Sequence, residues 1–172
     1  GIVWGISKVM RHHVESGAAR YEEWSHMAMG MRMRAGAMGV PFLPMRSMLG
    51  SDVLRQRPEA KEIDCPFTGE KLAAVPAIRP DVGIVHAQKA DCAGNVMLEG
   101  IVGVQKEVVL GSKRSIVTVE EIVDDFGPRS PNAVILPSWT VSAIAVGFAS
   151  SNGWMIVCPA RLMLFGSPIG EC

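Results

Sequence analysis

The chain has 172 residues, 48% of them hydrophobic and 20% charged, which suits a globular protein able to bury a real core. Seventeen basic residues balance seventeen acidic ones, so no basic field exists to hold a phosphate backbone, and one Tyr with five Phe offers no base-stacking platform. No apolar run is long enough to cross a bilayer as a helix: residues 141–149 are too few, and residues 154–165 are broken by Pro159 and Arg161. Nucleic acid and membrane are therefore not expected as partners, and the cytoplasm is the expected location.

In chain order, residues 4–15 predict an amphipathic helix with Ile6, Val9, Met10 and His13 on one side, stopped by Ser16-Gly17. Residues 22–38 predict a second helix rich in methionine, a strong helix former and a soft packer. Its Met31-Arg32-Met33-Arg34 alternation is not a helical period, which suits a segment facing a partner chain. Residues 39–58, with three prolines, read as a long loop, and loops of that length are often functional. Short strands are expected over 61–64, 71–77, 83–89 and 96–98. Residues 91–95 form the turn between the last two, with Gly94 free to take a positive φ.

A helix is expected over 104–111, then a β-branched strand over 115–119. Residues 120–125 read as an acidic helix start or turn. Strands and helices continue to alternate through 132–136 and 138–146. The alternation argues an α/β fold, with an open, largely parallel sheet and flanking helices. One domain is expected over residues 1–149, with residues 150–172 an unassigned tail.

No P-loop, nucleophile-elbow or zinc-protease motif is present. The adjacent His12 and His13 point to different sides of a helix and make a poor metal pair. His86, in an apolar strand, reads as a buried, hydrogen-bonded residue rather than a general base. Cys65, Cys92, Cys158 and Cys172 form no ligand-spaced pair and read as reduced thiols. The acidic pairs Glu120-Glu121 and Asp124-Asp125 read as solvated, so no metal site is expected.

Arg46 and Ser47, in the long loop, together donate several hydrogen bonds and suit a carboxylate or phosphate, with a surface ion pair as the plain alternative. Gly50 and Ser51 shape the turn behind them. Glu99, followed by Gly100 and Gly103, has the small neighbours a nucleophilic carboxylate needs.

Several stretches together carry a resemblance: GVPFLPMRSMLGSD from Gly39, CPFTGEKLAAVPAIRPDVGIVHAQKADCAGNV from Cys65, GVQKE from Gly103, IVTVEEIVD from Ile116 and NAVILPSWTVSAIAV from Asn132. Over residues 17–146 the chain resembles the A (alpha) subunit of family I CoA-transferases of the glutaconate and 3-oxoadipate type. The resemblance implies a heteromeric enzyme in which a B (beta) subunit carries the nucleophilic glutamate. Coenzyme A then moves from an acyl-CoA to a short dicarboxylic or oxo acid, with no tightly bound cofactor.

It further implies that Glu99, matching the A pattern on both sides, is not catalytic, so no catalytic residue is expected in this chain. From the donors of the long loop and the position of the turn at a strand end, Arg46, Ser47, Gly50, Ser51, Gly94 and Asn95 are the expected substrate-binding residues, with a plain hairpin turn as the alternative for Gly94 and Asn95. Two features depart from the family: its Gly-rich start lies before the first residue here, and the tail after Val146 follows no family pattern. The chain is thus expected to be a partial subunit, inactive alone. The alternatives are a non-catalytic acyl-CoA- or protein-binding module, and a hydrolase or lyase of the same superfamily.

Overall fold

The computed structural model describes residues 7–150, the last three by backbone only, and the backbone of residues 153–155 and 163–164. Contacts divide the chain into two compact units, residues 1–32 with 42–76, and residues 33–41 with 77–172.

The first unit opens with helix α1, Lys8–Glu15, whose Ser7 cap accepts from the Met10 amide at 3.3 Å. The helix ends at Ser16, followed by Gly17 at φ 74°, where the sequence stop lies. Helix α2 spans His26–Met38 and continues into the second unit. It starts four residues later than the composition suggests. Ser25 Oγ accepts from the Ala28 amide at 3.1 Å and fixes the first turn.

The expected loop over 39–58 is not a loop. It holds strand β1, Phe42–Met45, and the short helix α3, Asp52–Arg55. With β2, Lys61–Asp64, and β3, Lys71–Pro76, β1 forms an antiparallel sheet in the order β1-β3-β2. Pro44 argued against a strand, yet β1 is an edge strand, where a residue without an N–H is tolerated. Under this sheet lie Ala28, Met45, Met48, Leu54, Ala60, Ala73 and Val75, with Trp24, Met31 and Val53 packed against them. Met31 therefore belongs to a core, while Met27 and Met38 are exposed.

The second unit is built on strands β4 (Val82–Asp91), β5 (Val96–Leu98), β6 (Arg114–Val123), β7 (Val134–Leu136) and β8 (Ala143–Val146). Helix α4, Gln105–Gly111, follows β5. Strands β9 (Phe148–Ser150) and β10 (Gly153–Met155) form a separate pair, and β11 (Met163–Leu164) adds to β8. The tail is otherwise outside the described residues.

The main sheet has the order β11-β8-β6-β4-β5-β7. The fold class is α/β, but the sheet is mixed: β4–β6 and β6–β8 are parallel, whereas β4–β5, β5–β7 and β8–β11 are antiparallel. The antiparallel arm exists because Asp91–Asn95 reverses the chain directly, without a crossover helix.

The acidic stretch over 120–125 is mostly strand. Strand β6 runs on to Val123 because β4 lies alongside, pairing Lys89 with Glu121 and Asp91 with Val123. An ion pair of 3.0 Å between Lys89 and Glu121 reinforces that register. Alternate residues of β4 and β6 face the core: Val85, Ala87, Val117 and Val119 meet Val109 of α4, together with Leu98, Leu136, Val141 and Ile144. Each of the larger of these side chains contributes about 1.5–3 kcal/mol of transfer free energy.

Candidate functional site

Four of the residues singled out in the sequence lie together in the first unit, between β1 and α3. Arg46 follows β1 directly, and Ser47 is exposed beside it. Arg46 Nη2 donates to Glu70 Oε2 at 2.7 Å, and Arg46 Nε faces Glu70 Oε1. Two contacts from one guanidinium to one carboxylate fix the plane of the fork. Glu70, through its hydrogen bond and then its charge, raises the Arg46 pKa above its ordinary value. The guanidinium has five N–H donors, so the paired edge leaves others for an incoming oxyanion.

Gly50 takes φ 72° in the turn that leads to Ser51. Ser51 caps α3: its hydroxyl accepts from the Leu54 amide at 3.3 Å and donates to Met48 O at 2.7 Å. Its polar capacity thus goes to the scaffold that holds the Arg46 segment.

Glu70 was not singled out in the sequence, although it closes the Cys-Pro-Phe-Thr-Gly-Glu run. That run is the β2–β3 hairpin. The Cys65 amide donates to Glu70 O, and the Gly69 amide to Cys65 O, both at 2.8 Å. Phe67 at its tip is 93% exposed. The Cys65 thiol lies below its ordinary pKa, chiefly through a hydrogen bond with the Thr68 side chain, then through the Phe67 and Thr68 amides. Each of these donors favours the thiolate. Thr68→Val is therefore expected to raise the Cys65 pKa. Alkylation of Cys65 by iodoacetamide, followed by peptide mass spectrometry across pH, then shows its rate inflection at higher pH than in the parent chain. An unmoved inflection contradicts the assignment.

The other candidates lie in the second unit. Gly94 takes φ 86° in the turn between β4 and β5. The Asp91 carboxylate accepts twice from Asn95, from its amide at 2.8 Å and from its Nδ2 at 2.7 Å. Asn95 Oδ1 in turn accepts from the Ser138 amide at 3.0 Å. Asn95 thus ties the turn to the segment after β7, a link 43 residues long that no local spacing announces.

Glu99 follows β5, and its amide donates to Gln88 Oε1 at 2.8 Å. Beyond it, Gly100 and Gly103 take φ 75° and 57°, and Ile101 between them is 97% exposed. His86 is half-buried and bonded, as the sequence suggests: Nδ1 lies 2.9 Å from Thr118 Oγ1, and Nε2 3.5 Å from Glu120 Oε1. Among the described residues, no group of three or more His, Cys, Asp or Glu side chains is placed to hold a metal ion, and no helix is long and apolar enough to cross a membrane.

Comparison with known proteins gives a family match, two sequence relatives and two structural ones. The family model described as coenzyme A transferase matches residues 2–147. The A subunit of the 3-oxoadipate CoA-transferase of Pseudomonas knackmussii is 52% identical over 138 residues, covering 78% of this chain and 49% of that protein. The A subunit of the glutaconate CoA-transferase of Acidaminococcus fermentans is 33% identical over 161 residues, covering 84% of this chain and 50% of that protein.

The crystal structure of the Acidaminococcus fermentans glutaconate enzyme superposes with a TM-score of 0.68 at 32% identity, over 82% of this chain and 50% of that one. A structure of the decarboxylase AibA/AibB also matches with a TM-score of 0.68, at 30% identity, over 89% of this chain and 55% of that one. The chain spans about half the length of these relatives.

Proposed function

The chain belongs to the coenzyme A transferase family, and from that premise we propose that it supplies the A-subunit part of a two-subunit enzyme. That enzyme moves coenzyme A from an acyl-CoA to a short dicarboxylic or oxo acid. The observation that carries this reading is the 52% identity to the A subunit of a 3-oxoadipate CoA-transferase.

In the proposed reaction the B subunit contributes a glutamate carboxylate, which attacks the acyl-CoA carbonyl and displaces the coenzyme A thiolate, giving a mixed anhydride. The thiolate then attacks the glutamyl carbonyl and releases the first acid, leaving a glutamyl-CoA thioester. The acceptor acid reverses the two steps. Splitting the transfer in this way replaces one difficult displacement with easier ones.

The role of this chain is to bind and orient. Arg46, held in plane by Glu70, offers donors to a carboxylate or to the oxygen that gains charge at the thioester carbonyl. Ser47 stands beside it, and Gly50 with Ser51 hold the turn. Gly94 and Asn95 are the second proposed contact. Two features support a pocket role for Arg46: its fixed geometry, and its exposure of 75% despite the ion pair.

A hydrolase or lyase of the same superfamily is the second reading, and the AibA/AibB decarboxylase match speaks for it. In that case water or proton transfer replaces the acceptor acid. Arg46→Ala in an assembled A–B enzyme is expected to lower kcat/KM at least tenfold with the melting temperature unchanged, and Arg46→Lys to recover only part of it. Unaltered kinetics in Arg46→Ala would remove the loop from the site. Product analysis separates the two readings: transfer needs an acceptor acid in the assay, and hydrolysis or decarboxylation does not.

A further inference from the structure

We propose that the chain forms a symmetric dimer in which helix α1 of one copy packs on the open face of the main sheet of the other. The parallel part of that sheet carries α4 on one side. Gly83 approaches α4 so closely that a Cβ there would meet Val108 Cγ1 at 2.9 Å, and Val85 and Ala87 face the core with Val109. Side chains alternate along a strand, so Val82 and Ile84 project from the other side.

The parallel register sets Ile84 beside Ile116 and Val82 beside Arg114. Ile84 is 70% exposed, and Val82 and Ile116 are exposed with it. Parallel strands are almost always covered on both faces, so paired isoleucines open to water on two parallel strands mark a place for a second helix.

Helix α1 is the matching half. It buries none of its residues, and Val9 is 67% exposed, with Met10 exposed beside it. Val9, Met10, His13 and Val14 fall on one side of the helix, the spacing of an apolar stripe. A short helix of this kind draws most of its stability from docking that stripe.

The charges match as well. Arg114 lies at one end of the β6 face and Glu120 toward the other, both exposed. In α1, Lys8 and Arg11 belong to the first half and Glu15 is the last residue. Laid antiparallel to β6, as a crossover helix lies between parallel strands, α1 directs Lys8 and Arg11 toward Glu120 and Glu15 toward Arg114.

The occupant is a second copy because each chain supplies both halves, and exchange satisfies both at once. One helix of eight residues buries too little to hold two chains together. Reciprocal exchange about a two-fold axis doubles the contact, toward the about 1,000 Å² that a specific interface needs. Nothing in this contact depends on the transferase reading.

Sedimentation equilibrium of the 172-residue chain is expected to show a monomer–dimer equilibrium. Val9→Asp and Ile84→Asp, both at exposed positions, should each raise the dimer Kd at least tenfold. Ile101→Asp, at an exposed apolar residue in the loop after Glu99, should leave it unchanged.

A second measurement locates the contact without either aspartate. Chains bearing Val9→Cys are mixed with chains bearing Ile84→Cys and treated with a short dimaleimide, and the linked peptides are identified by mass spectrometry. A link between the peptides of positions 9 and 84 is expected, and in this mixture it joins two copies. A monomer at every concentration, a dimer unaffected by both aspartates, or no link between these two peptides overturns the proposal. A link found only within a chain bearing both cysteine substitutions assigns the helix to its own sheet and overturns it too.

Discussion

Gly36→Ala is expected to destabilise the protein by about 2 kcal/mol or more, although propensity alone argues the reverse. In a helix interior, Gly to Ala gains about 1 kcal/mol. Gly36 lies in α2, but a Cβ there would overlap the Ile78 carbonyl oxygen and approach its carbon to 3.1 Å. That neighbour is backbone and cannot rotate away. The same region is tight from another side, since a Cβ on Gly111 would meet the Ala37 amide nitrogen at 3.1 Å. Overpacking costs about 1–3 kcal/mol where side chains can adjust, and more is expected against backbone. Urea denaturation of the variant should show a lower midpoint with an unchanged slope. A midpoint at or above the parent value contradicts the close approach.

The second large effect is expected at Asp91. Its carboxylate holds the β4–β5 turn by accepting the Asn95 amide and Asn95 Nδ2. Asp91→Ala leaves both donors without that acceptor in a half-buried site, a loss of about 2–3 kcal/mol. It also frees the Asn95 side chain, whose Oδ1 holds the Ser138 amide. Asp91→Asn, which keeps one acceptor oxygen, should recover part of the loss. Thermal unfolding of the three chains checks the order parent, Asp91→Asn, Asp91→Ala. An Asp91→Ala chain as stable as the parent would show the turn to be held by Gly94 and backbone alone.

The Asn95 geometry also changes what a substitution there means. From sequence, Asn95→Gly reads as neutral for the turn and informative for ligand contact. With Nδ2 and Oδ1 both engaged in the scaffold, the same substitution loosens the turn and its link to Ser138. Kinetic loss in that variant must therefore be compared with Asp91→Asn before it is assigned to a ligand.

Local signals were legible where the chain makes its decisions locally. Strands β2 and β5 lie at their expected bounds, because alternation and flanking turn residues define them within a few residues. The Gly17 stop and the positive φ of Gly94 are likewise single-residue properties. Features set by distant partners were not legible. Strand β1 exists because β3, well beyond it in the chain, pairs with it despite Pro44. Residues Glu120–Val123 are strand because β4 extends beside them, not because acidic residues favour strands.

The candidate site divides in the same way. Arg46 was visible as a donor in a Pro-bounded segment, but Glu70, its orienting partner 24 residues on, was not. The family resemblance, by contrast, rests on runs of residues and needed no geometry.

The measurement that bears most directly on the proposed function is the location of the covalent intermediate. The chain is assembled with the proposed B subunit, incubated with acyl-CoA, and the thioester is trapped with borohydride or hydroxylamine before peptide mass spectrometry. The prediction is a modified glutamate on the B subunit, with Glu99 unmodified and no trapped adduct when the chain is incubated alone. A trapped adduct on Glu99 would contradict it.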